Sequence, residues 1–357
     1  MKRSVLVIGG GVMGLTLAWL CRRKGWQVTL LEKGGPELTQ SCSHYAGGML
    51  APFCELESAE PEIALLGLRS MTLFREWLPE LSKPVFFQEA GSLVVAHHND
   101  LGELSRLERR VLQSNLPHGM KRLSSHALDE VEPGLEGRFR QGLYFPHEGQ
   151  IVPRELLPAL RESLLEMGCE LLYHTEVISL SPSKVQTSDR EFTADWVLDC
   201  RGLGAQKDFP NLRGVKGEMV LLHTEEVELK RPVRMMHPRF PIYIVPRPDH
   251  YFMVGATTLE NEDTERTTVR SLLELLSAAY ALHPSFGEAA LIETNAGARP
   301  AFPDHLPSLA WTQGLLHING LYRHGFLISP ALAEEIVHFL EQGSPSEEHA
   351  SIWSEIN

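Results

Sequence analysis

The first 32 residues alternate between apolar and polar stretches in the order strand, helix, strand. The predicted elements are a strand at 4–8, a helix at 12–24 and a strand at 27–32. We expect the helix to end at Gly25, because glycine commonly follows the last turn of a helix. Gly9, Gly11 and Gly14 stand in G-x-G-x-x-G spacing between the first strand and the helix. Glycines in that context are typical of a dinucleotide-binding turn.

Each residue of this turn has a separate physical role. Gly9 permits a tight turn, and Gly11 lets the backbone approach a pyrophosphate. Gly14 lets the helix lie close to the strand. Glu32, 18 residues after Gly14, can accept hydrogen bonds from ribose hydroxyls. An ordinary glycine turn in an α/β protein would leave Glu32 unexplained, so the segment predicts a dinucleotide site.

The rest of the chain predicts further helices and a strand-rich insertion. Helices are expected at 62–80, 100–113, 154–167, 268–282 and 330–341. Ser329 would cap the last of these helices, and Pro330 suits its first turn. Short strands are expected at 85–87, 92–95, 169–173, 195–200, 218–223, 242–245, 251–255 and 315–319.

These elements predict an α/β fold with a Rossmann-like dinucleotide-binding domain built from separated segments. That domain would comprise 1–82, 143–211 and 296–345. An inserted α+β substrate domain with a mostly antiparallel sheet would comprise 83–142 and 212–295, followed by a C-terminal tail at 346–357. Clefts between such domains are the usual sites for small substrates.

Composition excludes several classes of function. The net charge of −13 argues against a nucleic-acid-binding surface. Five cysteines without a C-x-x-C pair indicate reduced thiols and a cytoplasmic protein. No metal-ligand cluster stands out among the 16 histidines, so we expect no metal. No signal peptide and no apolar run of about 18 residues is present, so we expect no membrane span.

Several motifs follow one another along nearly the whole chain. They lie at 7–11 with Glu32, then at 46–52, 215–218, 243–247, 254–257, 297–300 and 322–325. In their order and spacing the chain resembles the FAD-dependent amine and amino-acid oxidases of the D-amino-acid oxidase and sarcosine oxidase family. Within that family it is most similar to the glycine oxidases of thiamine-thiazole synthesis.

The resemblance implies FAD as the cofactor, bound noncovalently because no cysteine stands where sarcosine oxidases bond their flavin. Val177 would bind adenine through its backbone, and Gly202 would approach the phosphates. Backbone N–H groups of 323–327 would contact the pyrimidine end of the flavin. The cofactor-binding residues implied in this way are Gly9, Gly11, Val12, Met13, Gly14, Glu32, Lys33, Ser41, Cys42, Ser43, Gly47, Gly48, Met49, Val177, Gly202, Arg299, Arg323, His324, Gly325, Phe326 and Leu327.

Three side chains would carry the chemistry. Arg299 follows a glycine, which suits an arginine that projects from a strand end, and the family uses the matching arginine to clamp a substrate carboxylate. Tyr243 would bond the same carboxylate, and Arg323 would be a second cation near the flavin. The alternatives without a catalytic role are a structural ion pair for Arg299, a core tyrosine for Tyr243, and a surface or helix-cap cation for Arg323.

The implied reaction is oxidative deamination of a small amine that bears a carboxylate. Hydride transfer from the α-carbon to flavin N5 would give an imine, and water would release glyoxylate with ammonia or an amine. Dioxygen would then reoxidise the flavin and give hydrogen peroxide. The sequence shows no obvious histidine or aspartate constellation, which is consistent with catalysis by orientation and electrostatics.

Some residues depart from the family pattern. Ala301 and Phe302 replace a more usual Gly-Thr pair, and 202–204 lacks a tryptophan that many relatives carry. The stretch 239–242 lacks a histidine found near the site in some relatives. These departures leave glycine, N-alkylglycines and iminodiacetate-like diacids open as substrates.

Other functions remain open at this point. A flavoprotein of the same fold could act on a protein partner and mature an amino-acid-derived cofactor. The chain could also be a non-catalytic FAD-binding protein or sensor, or an NAD-linked dehydrogenase, because the glycine fingerprint also serves NAD. The resemblance further implies a homo-oligomer, either a tetramer or a dimer.

Overall fold

A computed structural model describes residues 3–238, 241–264 and 266–356. The helices within these residues are α1 (Val12–Arg23), α2 (Pro61–Trp77), α3 (Leu101–Gln113), α4 (Ser125–Val131), α5 (Pro153–Glu166), α6 (Val269–Leu282) and α7 (Gly325–Gln342). The strands are β1 (Ser4–Ile8), β2 (Gln27–Leu31), β3 (Met49–Leu50), β4 (Phe87–Gln88), β5 (Ser92–Ala96), β6 (Lys121–Ser124), β7 (Gln141–Phe145), β8 (Gly149–Ile151), β9 (Glu170–Leu172), β10 (Val177–Ser181), β11 (Lys184–Thr187), β12 (Glu191–Thr193), β13 (Trp196–Asp199), β14 (Arg213–His223), β15 (Val233–Met236), β16 (Ile242–Pro246), β17 (Tyr251–Gly255), β18 (Ala290–Ala301), β19 (Ser308–Thr312), β20 (Leu315–Asn319) and β21 (Trp353–Glu355).

One sheet joins distant parts of the chain in the order β21-β19-β20-β13-β1-β2-β9. Strand β1 lies between β2 and β13 and is parallel to both. Strand β20 continues the parallel arrangement beside β13, whereas β19 is antiparallel to β20. This sheet confirms the predicted Rossmann-like α/β fold built from separated segments. Strand β21, from the segment predicted as a tail, pairs with β19.

The second large sheet has the order β18-β14-β17-β16-β15-β5-β7-β6. Its pairs are antiparallel except for β15 beside β5. Side chains of β14, β16 and β17 form a core with α6, in which Val220, Ile244, Val254 and Leu275 are buried. The sheet is the predicted mostly antiparallel one. The exact domain boundaries stay a prediction.

Helix α1 is buried on nearly all sides because the parallel sheet, α5 and α7 pack around it. Its Trp19 packs against Trp77 of α2, with ring centroids 5.4 Å apart. The helix ends at Arg23, and Gly25 takes up a left-handed φ of 84°. The predicted end of this helix is therefore confirmed.

The predicted start of the last helix was wrong. Helix α7 begins at Gly325, directly after a 3₁₀ turn at Tyr322–His324. Ser329 does not cap the helix, because its hydroxyl lies inside it and donates to the Gly325 carbonyl at 2.5 Å. Pro330 lies in the second turn. The first turn is thus formed by the residues from Gly325 onward, whose N–H groups lack acceptors within the helix.

Candidate active site

The glycine turn connects β1 to α1 with close contacts that exclude larger residues. Gly9 has φ 103°, and its N–H donates to the Leu31 carbonyl at 2.8 Å. A β-carbon on Gly14 would lie 2.0 Å from the Gly9 carbonyl oxygen. The helix therefore approaches the turn as closely as the sequence predicted.

Glu32 is buried beside this turn and accepts two backbone hydrogen bonds. Its Oε2 accepts from the Gly10 N–H and its Oε1 from the Gly34 N–H, both at 2.6 Å. Ser43 approaches from the other side, where its hydroxyl accepts from the Val12 N–H at 3.1 Å. The acid and the hydroxyl thus frame the N-terminus of α1, where anionic groups are favoured.

A cavity opens from this point towards the antiparallel sheet. It lies between the N-termini of α1 and α7 on one side and strands β14, β16 and β18 on the other. The residues that line it are Val12, Cys42, Ser43, Tyr45, Ala46, Gly47, Gly48, Met49, Glu55, Gly217, Met219, Arg234, Pro241, Ile242, Tyr243, Ala256, Thr258, Gly297, Arg299, Tyr322, Arg323, Gly325 and Phe326.

Two helix N-termini meet at this cavity. Val12 begins α1 and Gly325 begins α7, and a β-carbon on Gly325 would lie 3.6 Å from Val12 Cγ1. Both helix dipoles therefore place positive potential in the same space. Such a cavity suits a long cofactor that carries phosphates at one end and gains negative charge at the other.

Arg299 projects from β18 into the cavity and lies over the neighbouring strand. Its Nη1 donates to the Thr257 carbonyl at 3.2 Å. Across the described residues no carboxylate lies within 4 Å of its guanidinium, so the alternative of a structural ion pair finds no partner there. Burial lowers the pKa of Arg299, which nevertheless stays charged at neutral pH. An unpaired cation in a cavity is an anion site.

Tyr243 projects from β16 into the same cavity. Its ring lies against Gly47 and Gly255, and its hydroxyl is 3.8 Å from Met219 Sδ. Burial raises the pKa of Tyr243, so its hydroxyl stays protonated and can donate a hydrogen bond. The sulfur is a weak acceptor, and the hydroxyl therefore remains free for a stronger one.

The other two arginines of the cavity are already paired. Arg323 donates to Glu55 Oε2 at 3.1 Å, and Arg234 contacts both Glu55 and Glu57. Burial opposes ionisation of Glu55, but the cations around it outweigh that effect and lower its pKa. Among the described residues that line the cavity, Arg299 is thus the arginine without an acidic partner, so its charge is available to a ligand.

His324 is a buried neutral imidazole behind Glu55. Burial lowers the pKa of His324 to about 4. Its Nδ1 lies 3.6 Å from Glu55 Oε2 and has no hydrogen-bond partner. The histidine therefore adds no charge to the cavity at neutral pH.

The structure brings together only part of the predicted site. Eleven predicted residues line the cavity: Val12, Cys42, Ser43, Gly47, Gly48, Met49, Tyr243, Arg299, Arg323, Gly325 and Phe326. Gly9, Gly11, Gly14, Glu32 and Ser41 surround the start of α1 instead. Lys33 is exposed, Met13 is buried in the core, Leu327 packs against Gly67 of α2, and Val177 begins the strand pair β10–β11.

Of the departures from the family pattern, Pro241 and Ile242 of the stretch 239–242 line the cavity, whereas Ala301 and Phe302 do not. Ala301 is buried, and the ring of Phe302 packs against Phe209 with centroids 6.0 Å apart. Neither residue is among the described residues that line the cavity. The Gly202 carbonyl accepts from Asn319 at 2.9 Å. Positions 239 and 240 lie outside the described residues.

Sequence reasoning missed several side chains that form the cavity. Glu55 and Arg234 are charged residues whose pairing depends on the tertiary fold. Gly217 belongs to the motif at 215–218, and a β-carbon there would lie 2.0 Å from Arg299 Nη2. Glycines at 217 and 297 within two of the motifs were the available signal, but only the structure shows that β14 and β18 are neighbours, with Gly217 paired to Gly297 and Val215 paired to Arg299.

Two negative findings concern the residues that the structure describes. Within them, no helix is both long and apolar enough to cross a membrane. Within 3–238, 241–264 and 266–356, no group of three or more His, Cys, Asp or Glu side chains could hold a metal ion.

The sequence matches the family model described as FAD dependent oxidoreductase, DAO, over residues 4–339. The chain therefore belongs to the DAO family of FAD-dependent oxidoreductases. It is an FAD-dependent enzyme of the amino-acid oxidase kind, as the family resemblance implied.

Individual relatives show which members of the family this chain is similar to. A Rhizobium etli protein named as a thiamine biosynthesis oxidoreductase, ThiO, is 46% identical over 96% of this chain and 98% of its own length. Glycine oxidase from Geobacillus kaustophilus is 26% identical over 96% of this chain and 93% of its own. Its crystal structure matches with a TM-score of 0.84 over 97% of this chain and 96% of that one. A bifunctional ThiO/ThiG protein from Synechocystis is 30% identical, and this chain spans 50% of it.

The residues present fit an FAD. The acid Glu32 and the glycine turn provide a nucleotide end, and the cavity begins at Val12 where that turn meets α1. The cavity also reaches Gly325, next to Val12, where the N–H groups of α7 are free of intrahelical acceptors. Donors of this kind suit a flavin ring that becomes negatively charged on reduction.

Proposed function

We propose that this chain oxidises glycine or a small N-substituted glycine, in the cavity between the two sheets. The observation that carries the proposal is the position of Arg299, an unpaired guanidinium beside the Tyr243 hydroxyl. A planar guanidinium binds a carboxylate through two parallel hydrogen bonds. The similarity to glycine oxidase and to ThiO supports the same substrate class.

The chain's own residues would orient the substrate. Arg299 and Tyr243 hold the carboxylate, which leaves the α-carbon directed towards the N-terminus of α7. FAD held by the glycine turn and the first turn of α7 would supply the two-electron redox chemistry. Glu55 keeps Arg323 in place at the cavity wall. Catalysis then depends on orientation and on exclusion of water, because no histidine or aspartate is among the described cavity residues and the Glu55 carboxylate is held in ion pairs with Arg234 and Arg323.

The cofactor contacts follow from the same geometry. Gly9, Gly11 and Ser43 would surround the pyrophosphate, and Glu32 would accept from the ribose while keeping its two backbone bonds. Val177 and Gly202 would lie along the adenosine half. Met49, Arg323 and the first turn of α7 would contact the flavin ring. Noncovalent attachment remains part of this proposal.

Peroxide formation provides the test. The purified yellow protein is mixed with glycine, sarcosine or iminodiacetate in air, and both hydrogen peroxide and the 2-oxo acid are measured. We expect equal amounts of glyoxylate and peroxide with at least one of these compounds. Flavin-bound protein that forms neither product with any of them would contradict the proposal.

The alternative of a protein substrate is less well supported. The cavity is lined by buried and half-buried residues, apart from the exposed Thr258, and reaches two helix N-termini, which suits a small ligand. The similar glycine oxidase matches over nearly its full length. Cytoplasmic location, the identity of dioxygen as acceptor and a homo-oligomeric state stay predictions.

A further inference from the structure

Arg247 lies behind the cavity wall and joins two parts of the backbone. Its Nη1 donates to the Ile151 carbonyl at 2.9 Å, and its Nη2 donates to the Gly47 carbonyl. Gly47 lines the cavity, whereas Ile151 belongs to β8. The guanidinium therefore holds the wall segment 47–49 against β8.

The same segment also contacts the substrate side of the cavity. A β-carbon on Gly47 would lie 2.8 Å from the Tyr243 ring. Tyr243 and Arg247 are four residues apart along β16 and its end, so they project to the same side. Gly47 is thus held between the tyrosine that faces the cavity and the arginine that anchors its carbonyl.

Arg247 differs from most other arginines that are buried or half-buried in the described residues in having no carboxylate in contact, although Glu155 acts on it electrostatically. Arg234 and Arg323 each contact a glutamate, as does Arg231 on another part of the sheet. For Arg247, no carboxylate of the described residues lies within 4 Å. Burial lowers the pKa of Arg247 to about 10, so it is still charged at neutral pH.

We propose that Arg247 is a positioning residue for the flavin, which fixes the wall at 47–49 and contributes an uncompensated positive charge beside it. The proposal rests on the flavin lying in this cavity, and it does not depend on which amine is the substrate. A hydride brings two electrons and one proton to the ring, so the reduced ring gains negative charge. A nearby cation favours that form and raises the reduction potential.

Two variants separate the geometric effect from the charge effect. Arg247→Met keeps much of the side-chain volume but loses the positive charge and both hydrogen bonds of the guanidinium. Arg247→Lys keeps the charge, but a single ammonium cannot reproduce two parallel guanidinium bonds. Arg231→Met is the matched control, because Arg231 also donates to two backbone carbonyls, those of Ala90 and Val131, away from the cavity.

The readouts are the dissociation constant of FAD and the midpoint potential of the bound flavin, which is measured by anaerobic reductive titration. For Arg247→Met we expect FAD binding weaker by about tenfold or more and a more negative potential. Arg247→Lys should show the weaker binding with a potential close to that of the unaltered protein. Arg231→Met should lower the melting temperature and leave both readouts unchanged.

Specific results would overturn the proposal. If Arg247→Met binds FAD as tightly as the unaltered protein and has the same potential, Arg247 does not position the flavin. If Arg247→Met does not fold, Arg247→Lys decides, and unchanged FAD binding in that variant overturns the proposal. Failure to oxidise glycine leaves these measurements unaffected, so the two proposals fail separately.

Discussion

Arg299 lies so close over Gly217 that a β-carbon at position 217 would stand 2.0 Å from Arg299 Nη2. The two residues are on neighbouring antiparallel strands, where Gly217 pairs with Gly297 and Val215 pairs with Arg299. The absence of a side chain at 217 is therefore what allows the guanidinium to reach into the cavity. A small residue on one strand sets the position of the charge on the next.

Gly217→Ala should displace the Arg299 guanidinium and raise KM for glycine on the order of tenfold or more, because small displacements of positioning groups are costly. The FAD absorbance should stay unchanged. Steady-state kinetics check this prediction. Gly102→Ala is the control, since open space surrounds Gly102 in α3 and an added methyl group meets nothing within 4 Å. Equal KM values in the two variants would argue against the role of Gly217.

Arg299→Ala should raise KM by at least about 10- to 100-fold, because even one of the two lost charged hydrogen bonds contributes about 1.5–3 kcal/mol. The KM of Arg299→Lys should lie between those of the unaltered protein and Arg299→Ala, since lysine keeps the charge but lacks the planar guanidinium. Flavin content, measured by absorbance, should be retained in both. Unchanged kinetics for Arg299→Ala would remove Arg299 from the substrate site.

Tyr243→Phe should keep the ring against Gly47 and Gly255 while it removes the hydroxyl donor. We expect KM to rise by roughly 10- to 100-fold, which is the effect of one hydrogen bond to a charged carboxylate. Protein stability should hardly change, because the lost partner is only a methionine sulfur at 3.8 Å. The two quantities are measured by kinetics and by thermal unfolding. A large loss of stability with unchanged KM would indicate a core tyrosine instead.

Glu148 should make stability depend on pH. It is buried, its Oε1 accepts from the N–H groups of Phe53 and Cys54, and its Oε2 accepts from the Ser92 hydroxyl. Burial raises the pKa of Glu148 from 4.5 to about 7. Between these two values the folded protein holds a proton that the unfolded chain has released. The stabilisation is therefore fully present below about pH 4.5 and is lost as the pH rises to about 7.

The variant Glu148→Gln tests this pH dependence, because its amide oxygen can keep both backbone bonds. Relative to the unaltered protein, the variant should gain stability as the pH is raised from 5 to 8. Urea unfolding at several pH values measures the difference. A difference in the free energy of unfolding that is the same at pH 5 and pH 8 would show that Glu148 does not titrate in this range.

The sequence predicted the parts of the fold that depend on residues close together along the chain. The unit from β1 to β2 was found within one residue of its predicted bounds, because apolar runs and glycines there act locally. The start of α7 was missed, because Ser329 and Pro330 are typical of a helix start. In the structure the Ser329 hydroxyl bonds back to Gly325 within the helix. Apolar packing of Phe326 and Leu327 extends the helix backwards.

The sequence predicted the roles of site residues only where those residues stand in recognisable motifs. Arg299, Tyr243 and Arg323 stand in motifs, and the structure places all three in one cavity. Glu55 stands in no motif, and Arg247 stands in the motif at 243–247 but was given no role, because the importance of both residues lies in contacts made across long separations. Arg247 meets Gly47 through 200 residues of intervening chain. No local pattern encodes such a contact.

The most direct test of the central claim is anaerobic mixing of the yellow protein with glycine and its N-substituted derivatives, followed by absorbance of the flavin. The account predicts that at least one compound bleaches the flavin rapidly, and that Arg299→Ala needs a much higher concentration of it. Two results would contradict the account: a flavin that stays oxidised with every compound, or a flavin in Arg299→Ala that is reduced at the same concentration of compound as in the unaltered protein.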